Sequence, residues 1–148
     1  MKIRSFSIPK GLGAKQIQAA EKLNRLIEAA NQHEIPVELV DDFEQKLSAL
    51  ENETHNPEIK ASSISKLTQY MMDSLRTRAG LVTKDYYRNF WMSVGMAVFG
   101  IPFGVAFSSV LKNYAFIGIG LPIGLSIGIA IGTSKDKQVI SEGRQLNF

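Results

Sequence analysis

The sequence predicts an all-α membrane protein, with a cytoplasmic domain of about three helices followed by a two-helix transmembrane hairpin that assembles as a homo-oligomer. Three observations predict it. Between Arg88 and Lys135 the 148-residue chain carries a single charged residue, Lys112. The apolar runs on either side of that lysine, 89–111 and 113–134, are each about 22 residues, or roughly 33 Å as helix, enough to cross a ~30 Å hydrocarbon core. Before them, residues 1–88 hold twelve of the fourteen acidic and thirteen of the seventeen basic groups, and their apolar residues recur at three- and four-residue steps. These features divide the chain into a helical domain at 1–82, a hairpin at 83–134 with spans at about 89–111 and 114–134, and a cytoplasmic tail at 135–148.

The first predicted helix covers about residues 14–32. Ile17, Ala20, Leu23, Ile27 and Ala30 form its apolar stripe, and Glu21 and Arg25 form an i,i+4 pair on another face. It follows a flexible stretch, Pro9-Lys-Gly-Leu-Gly13. Pro36 fits the first turn of a second helix, where its missing N–H costs nothing. Val40, Phe43, Leu47 and Leu50 then make a short coiled-coil-like seam. Asn56-Pro57-Glu58 signals a third start, with an N-cap side chain, a proline at N1 and an acid in the first turn. Ala61, Ile64, Leu67, Met71 and Leu75 are its stripe, Gly80 its stop, and Thr83 the cap of a helix running into the membrane.

Charge is segregated along this domain. Residues 34–58 carry eight acidic groups against Lys46 alone, and the segments on either side each carry six basic and two acidic groups. One reading is a three-helix unit with a solvated acidic face. The other is an acidic ring of Glu38, Asp41, Asp42 and Glu44, repeated by oligomerisation, that concentrates cations at a pore mouth. The basic third segment suits contact with anionic membrane lipid. There is no interleaving of basic and aromatic residues, and the acidic helix argues against nucleic acid as a partner.

The ends of the hairpin set its orientation. Arg76, Arg78, Lys84 and Arg88 precede the first span, Lys135, Lys137 and Arg144 follow the second, and the turn offers only Lys112. The positive-inside rule then puts both termini in the cytoplasm, with the protein in the cytoplasmic (inner) membrane. Tyr86, Tyr87, Phe90 and Trp91 would form the inner aromatic belt, and Tyr114 and Phe116 the outer one. No continuous apolar stretch of signal-peptide type is expected at the N-terminus.

Motifs of catalysis are poor. His33-Glu34 begins a zincin-like pattern but lacks its second histidine, and His55 is the only other one. Ser63-Ile-Ser-Lys66 is a short chance-level match to a serine-lysine motif. There are no cysteines. No enzyme activity, cofactor or metal is expected.

The second span carries the most specific pattern. Gly120, Gly124, Gly128 and Gly132 repeat at strict four-residue spacing. Glycine costs about 1 kcal/mol in a soluble helix, so a row of it suggests close helix–helix contact. Roughly opposite lies a second small row, Gly118, Pro122, Ser126, Ala130 and Ser134, and two rows of Ile and Leu fall between them. The first span has a weaker small row at Gly100, Gly104 and Ser108, with Gly95 and Ala97 near its start. Pro102 and Pro122 each remove a backbone hydrogen bond, and each is expected to bend its helix.

The run Gly-Leu-Pro-Ile-Gly-Leu-Ser-Ile-Gly-Ile-Ala-Ile-Gly from Gly120 to Gly132, with the polar tail after Ser134, resembles the small bacterial glycine-zipper membrane proteins. The resemblance covers about the last 60 residues and does not extend to the N-terminal domain. It implies a homo-oligomeric channel or pore, packed through Gly120, Gly124, Gly128, Gly132, Gly100 and Gly104. Ser126, Ala130 and Thr133 are candidate pore-lining residues. The cytoplasmic helices would gate the pore, under a ligand or protein partner, and a chain of this type suits a stress- or defence-related effector. The alternative is an oligomeric membrane-anchored adaptor that docks a cytoplasmic protein without conducting ions. The lack of charge in the second span weighs toward the adaptor, since conduction would rest on hydroxyls, carbonyls and water.

Overall fold

The computed structural model describes residues 2–9, 11–53 and 61–148. Apart from two short strands, its regular structure is helical: α1 (Ala14–Ala30), α2 (Val37–Glu53), α3 (Ala61–Arg78), β1 (Val82–Thr83), α4 (Tyr86–Gly95), a single π turn (Met96–Gly100), α5 (Ile101–Leu111), a 3-10 turn (Tyr114–Phe116), α6 (Ile117–Ser141) and β2 (Gln145–Leu146). The chain divides into two units, Met1–Thr83 with Arg144–Phe148, and Lys84–Gly143. The start signal at Asn56-Pro57-Glu58, and His55, lie outside the described residues.

In the N-terminal unit the predicted stripes become one core. Leu23, Leu26 and Ile27 of α1, Val40, Phe43 and Leu47 of α2, and Ile64, Met71 and Leu75 of α3 are buried together. Ile17, the first residue of the α1 stripe, is exposed, one turn too early to reach that core. Pro36 stands just before α2, where its carbonyl accepts the first bonds from Leu39 N (3.0 Å) and Val40 N (3.2 Å). Gly80 ends α3 as expected. Its φ of +67° lets Leu81 N reach back over six residues to Leu75 O at 3.1 Å, the carbonyl that also accepts Ala79 N, and so closes the end of the helix.

The N-terminal segment is extended and built into the unit. Asn31 Oδ1 accepts Ile3 N at 2.7 Å while Asn31 Nδ2 donates to Ile3 O at 2.8 Å. Asn24 makes the same pair with Phe6, at 2.8 and 3.0 Å. The spacings match: seven residues of helix and three residues of extended chain both cover about 10 Å. Two side-chain amides thus satisfy backbone that has no strand beside it, and the side chains of Ile3 and Phe6 are buried in the core. Arg4 fastens the segment to α2 by an ion pair with Glu51 (2.8 Å) and a hydrogen bond to Ser48 Oγ (2.8 Å).

The tail expected at 135–148 is divided. Residues 135–141 continue α6, and Arg144–Phe148 belong to the N-terminal unit. β1 pairs with β2 in parallel, Val82 beside Gln145 and Thr83 beside Leu146. Arg144 Nη1 donates to Gly80 O at 2.8 Å, and Leu146 is 1% exposed within the core. The residues flanking the hairpin in sequence are therefore hydrogen-bonded to each other. Replacing Leu146 with Ala should lower the stability of the N-terminal unit by about 2–5 kcal/mol, read as a shifted denaturation midpoint of its helical circular dichroism. An unshifted midpoint would mean that the tail is not part of that core.

Candidate helix-packing site in the hairpin

The second unit consists of two helical arms. α4, the π turn and α5 form the first, Tyr86–Leu111, and the 3-10 turn and α6 form the second, Tyr114–Ser141. At 26 and 28 residues both are long and apolar enough to cross a membrane. Between them Lys112, at φ +50°, ends α5, and Asn113 Oδ1 accepts Ala115 N at 3.0 Å to begin the return. Tyr114 stands 86% exposed at this end. α6 runs through Pro122 without interruption.

Gly120, Gly124, Gly128 and Gly132 are all buried, and all face the first arm of the same chain. A methyl group at Gly124 would lie 2.5 Å from both Gly100 N and Gly95 O. At Gly120 it would strike Gly100 and Gly104, at Gly128 Trp91 and Met92, and at Gly132 Tyr87 and Arg88, every time on backbone atoms that cannot turn aside. Gly95, Gly100 and Gly104 answer from the first arm, against Gly124, Gly120 and Ile117. At each of these seven glycines, a carbonyl oxygen of the opposite arm is among the atoms nearest the direction that Cβ would take. A glycine Hα occupies that direction, so the seam is a reciprocal series of Cα–H···O contacts. Each contributes about 0.5–1 kcal/mol beyond van der Waals packing.

The first arm needs its π turn to make this seam. Gly95 and Gly100 are five residues apart, and in a regular α-helix they would point about 140° away from each other. The widened turn at Met96–Gly100 absorbs the extra residue. Gly95, Gly100, Gly104 and Ser108 are then all buried, whereas Ala97 is exposed. Pro102 follows directly, as the second residue of α5. A proline ring clashes with the carbonyl four residues back, and a widened turn at that point relieves the clash.

The buried row of α6 continues past the glycines to Asp136, four residues beyond Gly132 and 8% exposed. Its Oδ1 accepts Tyr87 N at 3.0 Å and its Oδ2 accepts Arg88 N at 2.9 Å. These are two of the free N–H groups that open α4, so a carboxylate from one arm caps the helix of the other. Thr83, expected as that cap, lies in β1. The N-cap position is held by Asp85, at φ +56°, with no side-chain capping bond. Sequence reasoning missed Asp136 because it was counted with the polar tail, although the four-residue ladder points straight to it. Beside it the expected aromatic belt is a cluster: Tyr86 meets Tyr87 and Phe90, Phe90 meets Trp91, and Lys135 Nζ lies 5.9 Å from both the Tyr87 and Trp91 rings.

The other candidates are not gathered into one place. Ser126 and Ala130 are exposed on α6, with Ser126 Oγ donating to Pro122 O at 2.8 Å, while Thr133 is half-buried in a cleft near Asp136. Glu38, Asp41, Asp42 and Glu44 all lie on α2. Glu38 and Asp41 are exposed, and Asp42 accepts the Tyr70 hydroxyl at 2.7 Å. Among the described residues no group of three or more His, Asp or Glu side chains is arranged to hold a metal.

The arrangement defines a class: an all-helical protein with a membrane-length hairpin whose arms meet backbone to backbone. No family model, curated protein or solved structure matches the chain.

Two substitutions separate packing from mere small size. Gly124→Ala should destabilise the hairpin by on the order of 1–3 kcal/mol through overpacking. Gly118→Ala, with nothing within 4 Å of the added methyl, should be neutral or mildly stabilising. Thermal unfolding in detergent distinguishes them, and equal effects would contradict the seam. Asp136→Ala removes the acceptor for two helix N–H groups and should cost about 1–3 kcal/mol in the same assay, with Asp136→Asn, which keeps one acceptor oxygen, recovering part of it.

Proposed function

We propose that the protein is a homo-oligomeric membrane channel or pore, in which copies of the hairpin meet through the exposed small face of α6. The observation that carries this reading is the second small row. Gly118, Pro122, Ser126, Ala130 and Ser134 are all exposed, on the side of α6 away from the first arm. A helix that needed only one partner has no use for a second small face. The row also carries polar atoms. Pro122 has no N–H to give the Gly118 carbonyl, and a backbone acceptor left unmet in hydrocarbon costs several kcal/mol. Water in a lumen, or a donor from a neighbouring copy, would meet it. Ser126 adds a hydroxyl on the same face.

In this reading the glycine ladder builds the single hairpin, and the opposite face builds the assembly. Both termini are cytoplasmic, the membrane is the inner one, and the N-terminal unit assembles and gates the pore. Glu38 and Asp41 are exposed and supply negative charge to a cation vestibule.

A second reading, a membrane-anchored adaptor, is favoured by a different observation. Seven close glycine contacts inside one hairpin make a compact anchor that needs no neighbours. Native mass spectrometry and planar-bilayer recording of the purified protein separate the two. The channel reading expects an oligomer larger than a dimer and discrete current steps that Ser126→Leu abolishes. A monomer or dimer that is silent under all conditions of voltage, pH and ligand would leave the anchor.

A further inference from the structure

At the Asp136 end of the hairpin lies a cleft of about 350 Å³, within the ~300–1,000 Å³ range typical of ligand sites. Asp85, Arg88 and Lys137 line it with charge, and Ile129 and Thr133 form part of its wall. Its charges differ in how far they are already engaged. Asp136 also lines the cleft, but both of its oxygens are bonded to Tyr87 N and Arg88 N. Those are the donors that an N-cap aspartate ordinarily takes. Asp85 stands at the N-cap, and its carboxylate makes no capping bond. Among the described residues, the side chains of Asp85, Arg88 and Lys137 enter no hydrogen bond or ion pair, whereas nearby Lys135 sits over two aromatic rings.

From this we infer that the cleft is a binding site for the headgroup of a phospholipid carrying a primary ammonium. Arg88 and Lys137 take the phosphodiester, and Asp85 takes the ammonium. The inference rests on the reading that the hairpin crosses a bilayer. Three features select this chemistry. Two free cations and one free carboxylate match a headgroup that bears both signs. An acidic headgroup without an amine would set its phosphate near Asp85 with nothing to offer that carboxylate. None of the lining residues is aromatic, so the face that recognises a trimethylammonium is missing, while Asp85 and Thr133 supply acceptors that a primary ammonium can use. Ile129 and Leu125, one turn earlier, carry the apolar wall of the cleft toward the uncharged stretch of α6, along which an acyl chain would lie.

The test is native mass spectrometry of the full-length protein in detergent, with lipids of identical acyl chains and ethanolamine, choline or glycerol headgroups. Wild type should retain the ethanolamine lipid about tenfold better than the other two, the effect of one charge-assisted hydrogen bond. Asp85→Asn should reduce it to the level of the choline lipid and leave the choline lipid unchanged. Arg88→Gln with Lys137→Gln should lower retention of all three; the Arg88 backbone N–H that Asp136 needs is untouched. Equal retention of the three lipids by wild type, or a preference that survives Asp85→Asn, overturns the inference. Carbonate extraction of membranes keeps its failure distinct. A protein released by carbonate defeats the membrane reading and this site together, and a resistant protein without headgroup preference defeats the site alone.

Discussion

The constraint on which the hairpin depends is the distance between two backbones. At Gly120, Gly124, Gly128 and Gly132, α6 presents no Cβ to the first arm, and even a methyl group there would collide with main-chain atoms. In a membrane the hydrophobic effect does not drive helices together, because lipid chains are as apolar as leucine. Association has to come from close packing and from weak polar contacts. A glycine seam supplies both, since its Hα atoms point at carbonyl oxygens of the facing helix. The cost in helix propensity, about 1 kcal/mol for each glycine in water, is accepted over seven positions to obtain it.

Other features of the unit follow from that approach. The π turn exists where the spacing between small residues is five instead of four, and it returns Gly95 to the face of Gly100. Asp136 extends the same row one turn past the last glycine. There the helices are still close enough for its carboxylate to reach the first N–H groups of α4. With those donors taken, the aspartate at the actual N-cap keeps its charge unspent. In this way the seam that joins the arms also prepares the charged cleft at one end. Using the ladder within one chain changes the functional argument as well. Any contact between copies passes to the other small face of α6, where Pro122, Ser126 and Ala130 are exposed.

Much of this was legible in the sequence, and the parts that were not share a cause. The core stripes of α2 and α3, the αL glycine after α3, and the two apolar arms follow from periodicity and turn chemistry, which are local. The division of small residues into two faces of α6 was readable too, but not which face meets the first arm, since both rows are small. What stayed hidden is pairing across long stretches of sequence. Asn24 of α1 and Asn31 just past its end look like ordinary surface residues until the extended segment lies beside them. Leu146 looks like part of a polar tail until β2 pairs with β1. Asp136 looks like an interfacial charge until α4 begins two hydrogen bonds away. The π turn did leave a signal, the five-residue step from Gly95 to Gly100 in a row otherwise spaced by four.

The central claim is that the ladder is closed within a single chain. Solid-state NMR of the protein in bilayers tests it most directly, through contacts between the Cα atoms of Gly100 or Gly104 and those of Gly120 or Gly124. The labelled chain is diluted into an excess of unlabelled chain. The account predicts that these cross-peaks persist at full relative intensity on dilution, because both glycines belong to one molecule. Their loss in proportion to dilution would place the ladder between copies and contradict it.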